Sequence, residues 1–134
     1  MTHVPVVLVV EDDFETRLLL RVLCEREGFQ TLPAEDGETA LALIAGRHVD
    51  VILLDLLLPK VNGFEVMRHL RCTRPALLAR TIVMTAATEA TTRDCQELLH
   101  VFCFRRKPLD VLDLATDVRA CARQMREPAR QQMR

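Results

Sequence analysis

Five short apolar runs cross this sequence, and the first of them, which has no polar alternation, sets the tightest limit on the fold. The first, Val6-Val7-Leu8-Val9-Val10, is closed abruptly by Glu11-Asp12-Asp13. A strand with one wet face alternates apolar and polar side chains. An unbroken apolar run of strand length belongs to a sheet covered on both faces. Residues 29–33 form a weaker second run, kept short by its proline. Residues 51–54, 81–84 and 101–104 are the third, fourth and fifth.

Helical periodicity fills the intervals. Residues 15–27 (ETRLLLRVLCERE) place Leu18, Leu19, Val22 and Leu23 at 3/4 spacing, and Gly28 fits a left-handed stop. Residues 38–45 predict a second helix, stopped by Gly46. Residues 64–71 predict a third, with Pro75 in the loop beyond. Residues 89–99 predict a fourth. Residues 110–126 predict a fifth, with Val111, Leu112, Leu114, Ala115, Val118 and Ala122 on its apolar side. Strands alternating with helices imply right-handed crossovers and an α/β, doubly wound parallel sheet. With 134 residues, the chain is long enough for one such domain and buries a sufficient core without staples. No repeat or low-complexity stretch interrupts it, and residues 127–134 read as a polar tail.

Composition removes several function classes. Eighteen basic and nineteen acidic residues argue against a strongly basic nucleic-acid binder. The charge is uneven: residues 1–50 hold four basic and ten acidic side chains, residues 105–134 eight and four. No apolar stretch reaches membrane-spanning length, and the N-terminus lacks a basic leader. The five cysteines (Cys24, Cys72, Cys95, Cys103, Cys121) contain no CxxC pair, so they read as small buried thiols in a reducing compartment. The expectation is a cytoplasmic protein. The four histidines are scattered without ligand spacing and receive no chemistry.

In open α/β sheets, sites lie beyond the carboxyl ends of the strands. Strand one ends in Glu11-Asp12-Asp13, strand three in Asp55, strand four in Thr85 and strand five in Lys107-Pro108. Carboxylates crowded together raise one another's pKa unless a cation sits among them, and Mg2+ suits an all-oxygen set. A carboxylate beside Mg2+, a lysine and a hydroxyl is equipped for phosphoryl transfer through an aspartyl phosphate.

Four motifs, VLVVEDD at 7–13, LLDLLLPKVNG at 53–63, IVMTAA at 82–87 and FRRKP at 104–108, occur in the order and spacing of a known family. Across residues 5–126 the chain resembles the receiver domain of two-component response regulators. The resemblance implies a (βα)5 three-layer sandwich with strand order 2-1-3-4-5. It implies a receiver domain at 1–126, a tail at 127–134 and no output domain. Asp55 is then the phosphoacceptor. Asp12 is a direct Mg2+ (or Mn2+) ligand, Glu11 acts through metal-bound water, and Asp55 and the Leu57 carbonyl complete the protein's share. Lys107 pairs with Asp55 and later with the phosphoryl group. Thr85 and the Ala86 amide donate to that group, Thr85 and Phe104 form the switch, and the Lys107–Pro108 bond is cis. The phosphoryl donor is a histidine kinase or histidine phosphotransfer protein. The face of the fourth predicted helix, fifth strand and fifth helix changes to control a downstream protein, with no direct nucleic-acid or membrane binding. Such a protein is not an enzyme beyond its own phosphorylation and dephosphorylation.

Plainer readings stand beside these. Asp12 and Glu15 fit a capping box, and Asp13 fits a cap or surface acid. Asp55 could terminate a turn, Lys107 a strand, Thr85 could be a strand threonine and Phe104 plain core. Gly63 and Pro59 shape the loop after Asp55. Where the family commonly has glycine before strand five this chain has His100, which is costly if left-handed. Two acids of a dimer contact in many family members are Phe102 and Cys103 here, making that face more apolar. Leu57 and Ala87 carry no group to position an attacking water, so dephosphorylation is not unusually fast. A phosphohydrolase of similar fold needs a second acid at Leu57, and a pseudo-receiver acting as a phosphorylation-independent interaction module usually lacks an acid or the lysine.

Overall fold

A computed structural model describes residues 3–86, 92, 93 and 95–125. Five strands, β1 (Val6–Val10), β2 (Gln30–Ala34), β3 (Val51–Asp55), β4 (Thr81–Thr85) and β5 (Cys103–Arg106), form one parallel sheet in the order β2-β1-β3-β4-β5. The helices are α1 (Phe14–Arg26), α2 (Gly37–Gly46), α3 (Gly63–Thr73), a single turn α4 (Pro75–Leu78) and α5 (Val111–Met125), with a 3-10 turn at Gln96–Leu99.

The unalternating runs work as the sequence implies. Val7, Val9, Val51, Leu53, Ile82 and Met84 point to one face and pack with Leu20 and Cys24 of α1 and Leu114, Val118 and Cys121 of α5. Leu8, Val10, Ile52, Leu54 and Val83 point to the other and pack with Ile44 of α2, Val66, Met67 and Leu70 of α3, and Leu77 and Leu78 of α4. Helices on both faces leave the central strands no wet side.

Several boundaries move. Asp13, rather than Asp12, caps α1, accepting the Thr16 amide at 2.9 Å and its hydroxyl at 2.6 Å. Gly28 takes the left-handed stop with φ 91°. Gly46 is instead the last residue of α2, capped by extended Arg47. Pro75 opens a helical turn, because a proline at the first helical position loses no hydrogen bond. β5 lies two residues later than expected. Its arginines sit on an edge strand, where charged side chains reach water. His100 has φ −107°, so it escapes the left-handed strain its position invited. Phe102 and Cys103 are half-buried against the α1/α5 core, so the anticipated apolar outer face does not arise from them. Cys72 is exposed, unlike the buried Cys24 and Cys121, and all five thiols are free. The predicted 89–99 helix is described only at 92, 93 and 95–99. Ala87 and the 127–134 tail lie outside the described residues.

The α1 stripe is the main correction. The buried residues are Leu20 and Cys24, whereas Leu18, Leu19 and Val22 are exposed, together with Phe14. No helix among the described residues is long and apolar enough to cross a membrane.

Candidate functional site

Parallel pairing places the strand ends side by side. Val10 pairs with Leu54, Asp55 with Met84, and Thr85 with Arg106. The residues just beyond Val10 and Arg106 therefore meet Asp55 along one edge.

There Lys107 bridges two acids. Its Nζ lies 2.5 Å from Glu11 Oε1 and 3.0 Å from Asp55 Oδ2. Asp55 Oδ1 accepts the Leu57 amide at 3.0 Å, so both carboxylate oxygens are oriented. Glu11 is fully buried, and its Oε2 has no hydrogen-bond partner among the described residues. Asp12 is exposed at the rim, and the Glu11, Asp12 and Asp55 carboxylates each offer an oxygen within 4.8 Å of the others.

The electrostatics follow from that crowding. Burial, with the neighbouring Asp55 carboxylate, pushes the Glu11 carboxyl up to about 7, and Lys107 only partly offsets this. Burial by itself would lower the Lys107 ammonium, but its bonds to Glu11 and Asp55 outweigh that and hold it above the ordinary lysine value. A buried carboxylate with an unpartnered oxygen, beside two further carboxylates, is a donor set that fits a hard divalent cation.

Thr85 is buried at the end of β4, and exposed Ala86 follows it at the same edge. The Thr85 carbonyl accepts the Lys107 amide at 2.9 Å, tying β4 to the lysine-bearing loop. The Lys107–Pro108 bond is cis. Leu57 presents its amide to Asp55 while its side chain is half exposed. Phe104 pairs with Val83, a step back from the strand end, half-buried against the α2/α3 core. The Arg106 guanidinium lies 5.4 Å from its ring centre.

Some supporting residues escaped sequence reasoning. Arg17 on α1 donates to the Glu11 carbonyl at 2.7 Å and the Asp12 carbonyl at 3.3 Å, fixing the backbone that carries the acids. Lys60 holds φ 62° in the loop after Asp55 and pairs with Asp36 at 3.6 Å. A left-handed lysine costs about 1–2 kcal/mol, so its surroundings must impose the conformation. The imposition is visible in two glycines. A β-carbon on Gly63 would strike the Asp55 carbonyl and the Leu56 backbone, and one on Gly37 would fall on the Val61 carbonyl. Glycine in the 53–63 motif was legible as loop-forming, but not as a close approach.

Comparison with known proteins agrees with this geometry. A family model described as the response regulator receiver domain matches residues 7–119. Transcriptional regulatory protein CpxR of Klebsiella pneumoniae is 36% identical over 126 residues, 94% of this chain but 53% of that protein. The chain thus spans about half the length of this relative. Sporulation initiation phosphotransferase F of Bacillus subtilis is 28% identical over 113 residues, 84% of this chain and 90% of that protein. A CheY-like receiver domain protein from Methanospirillum hungatei shares the fold with a TM-score of 0.83 at 21% identity, covering 93% of this chain and 99% of that one. The response regulator TrrA of Thermotoga maritima, solved in complex with Mg2+-BeF, gives 0.76 at 26% identity, covering 87% and 98%. With its strand order, its acidic edge and this match, the chain belongs to the response regulator receiver domain family.

Proposed function

We propose that the protein is a phospho-accepting switch in which Asp55 takes a phosphoryl group from a phosphohistidine donor. Receiver domains accept phosphoryl groups from histidine kinases or phosphotransfer proteins and bind Mg2+ at an acidic pocket. The observation that carries the reading here is Lys107, whose ammonium joins Glu11 to Asp55 at the convergence of three strand ends.

In the step itself, an Asp55 carboxylate oxygen attacks phosphorus. The phosphorus–nitrogen bond breaks, and the electron pair returns to the donor's imidazole nitrogen. Lys107 exchanges its contact with Asp55 for a phosphoryl oxygen, balancing charge through a compact ammonium. The Leu57 amide keeps the carboxylate oriented, and the Thr85 hydroxyl and Ala86 amide donate to the new group. Glu11, Asp12, Asp55 and the Leu57 carbonyl would hold Mg2+, or Mn2+, which supplies further charge neutralisation when bound. Phosphorylation replaces the single negative charge of the carboxylate by the roughly two of an acyl phosphate, a net gain of about one. Thr85 and Phe104 carry that change toward the surface of β5 and α5, where a downstream protein reads it.

A protein donor suits the surface next to the site. Phe14, Leu18, Leu19 and Val22 expose an apolar stripe along α1, whose N-terminus directly follows Asp13. Phosphotransferase F of Bacillus subtilis, matched over most of its length, supports a relay role. The reading places the protein in the cytoplasm, acting on a protein rather than on nucleic acid or membrane. The pseudo-receiver alternative has no feature in its favour, since both acids, Asp55, Thr85 and Lys107 are all retained.

The test is acetyl phosphate with and without Mg2+, read by intact mass as a gain of about 80 Da, the mass of one phosphoryl group. The gain should require Mg2+ and vanish in Asp55→Asn. A gain that persists in the variant, or none in the parent, rejects the assignment.

A further inference from the structure

The opposite edge of the sheet carries a second cluster that phosphoryl chemistry does not use. Asp50 directly precedes β3, roughly 16 Å of strand away from Asp55. Its Oδ2 accepts the Val6 amide at 2.8 Å and faces His3 Nε2 at 2.8 Å. Its Oδ1 faces His48 Nε2 at 2.7 Å. The two imidazoles meet edge to face, with centroids 5.0 Å apart. Two segments, the chain before β1 and the α2–β3 loop that runs into β3, thus bring two ring nitrogens and a carboxylate together. All three ligand atoms lie within 4.8 Å.

The burial is graded as a binding site requires. Asp50 is buried and held by backbone, while both imidazoles are more than half exposed and free to adjust. Burial alone would raise the Asp50 carboxyl. The Val6 amide and the two histidines outweigh it and keep the group ionised below the ordinary carboxylate range. Two arginines stand nearby. Arg80 Nε donates to the Asp50 backbone carbonyl at 2.6 Å, and Arg47 lines a pocket of about 560 Å3 shared with His3 and His48.

We propose that His3, His48 and Asp50 form a second metal site, specific for a transition ion of the Zn2+ class. Two imidazole nitrogens and one carboxylate are a borderline donor set, unlike the all-oxygen set at the other edge, which suits Mg2+. Ligand atoms around tetrahedral Zn2+ stand about 3.3 Å apart, given bonds of about 2.0 Å. The 2.8 and 2.7 Å contacts are to opposite oxygens of the Asp50 carboxylate. A single ion therefore requires both imidazoles to turn toward one oxygen, or the carboxylate to bind through both, within the 4.8 Å that already encloses the three ligand atoms. Without an ion each Nε2–H donates to the ionised carboxylate. An ion that takes the Nε2 lone pair leaves a neutral imidazole with its proton on Nδ1, and an imidazolium releases its Nε2 proton to water. The remaining coordination position faces solvent, for water or a small ligand. The ion fastens the segment before β1 to the start of β3.

The test titrates the chelator-stripped full chain with Zn2+ against a chromophoric chelator, in millimolar Mg2+ so that the oxygen site is occupied. One equivalent of Zn2+ should bind. Removing an outer partner of a metal ligand typically costs tenfold or more, so His3→Ala and His48→Ala, which remove ligands, should each weaken binding by at least about tenfold. Co2+ in place of Zn2+ should show no near-ultraviolet thiolate band. Both substitutions are at exposed positions, and retained phosphorylation by acetyl phosphate verifies that the variants are folded. Equal Zn2+ affinity in parent and both variants, no binding up to millimolar Zn2+, or a thiolate band that places the ion on cysteine would overturn the proposal.

Discussion

Lys107 Nζ stands 3.0 Å from Asp55 Oδ2, joining the end of β5 to the end of β3 across 52 residues of chain. The same nitrogen holds Glu11, so one ammonium serves two carboxylates. Lys107→Ala removes the only charge that crosses between them among the described residues. Losing one preorganised stabilising group at a reacting centre typically costs about 100-fold or more in rate. Phosphorylation by acetyl phosphate in saturating Mg2+ should slow to that degree while the far-ultraviolet circular dichroism stays unchanged. An unaltered rate would remove Lys107 from the chemistry.

Glu11 makes stability pH-dependent in a defined direction. Its carboxyl is raised from 4.5 to about 7 in the folded protein. Below the lower value it is protonated in both states and its contribution is intact. Between the two values the unfolded chain gives up the proton first, so stability falls as pH rises. The full loss is about 3 kcal/mol. Glu11→Gln abolishes it. In EDTA, the melting-temperature advantage of the variant over the parent should grow from about pH 5 to about pH 8. A constant difference would contradict this.

Gly37 and Val61 set the loop that follows Asp55. A β-carbon at Gly37 would occupy the place of the Val61 carbonyl oxygen, so Gly37→Ala must displace the 56–62 loop. Overpacking of this kind costs about 1–3 kcal/mol. Urea unfolding should report that loss, and phosphorylation should slow because the Leu57 amide that orients Asp55 lies in the same loop. A midpoint equal to that of the parent would mean the loop yields freely.

The α1 stripe separates a protein donor from a small-molecule one. Leu18 is 49% exposed and makes no part of the core. Leu18→Arg should reduce transfer from a phosphohistidine protein about tenfold, the effect of losing roughly 1.4 kcal/mol of contact, as truncation of a central interface residue does. Phosphorylation by acetyl phosphate should be unchanged. Equal losses with both donors would point to a disturbed site instead of a docking surface.

The layered fold was legible because burial on both faces writes itself into a strand as an unbroken apolar run, as in Val6–Val10 and 51–54. β5 was misplaced by two residues because an edge strand tolerates Arg105 and Arg106, and its apolar signal ends before its backbone pairing does. The α1 stripe was misread for a related reason. Periodicity finds apolar residues at helical spacing, but α1 has more of them than one face can bury, and only packing against β1 and α5 selects Leu20 and Cys24.

The sequence by itself determined the chemical inventory of the candidate site, because parallel strands carry whatever follows each run to the same edge: Glu11, Asp12, Asp55, Thr85 and Lys107. Tertiary structure alone decided how those groups are held. Arg17 clasps backbone carbonyls, the Leu57 amide turns Asp55, and Gly37 admits Val61. It also brought His3, His48 and Asp50 together, although histidine spacing had offered no sign of a site. Backbone carbonyls and amides have no sequence signature, and side chains 45 residues apart meet only when pairing register fixes their separation. Residue types record which chemistry is available, whereas distance is a property of the packed sheet.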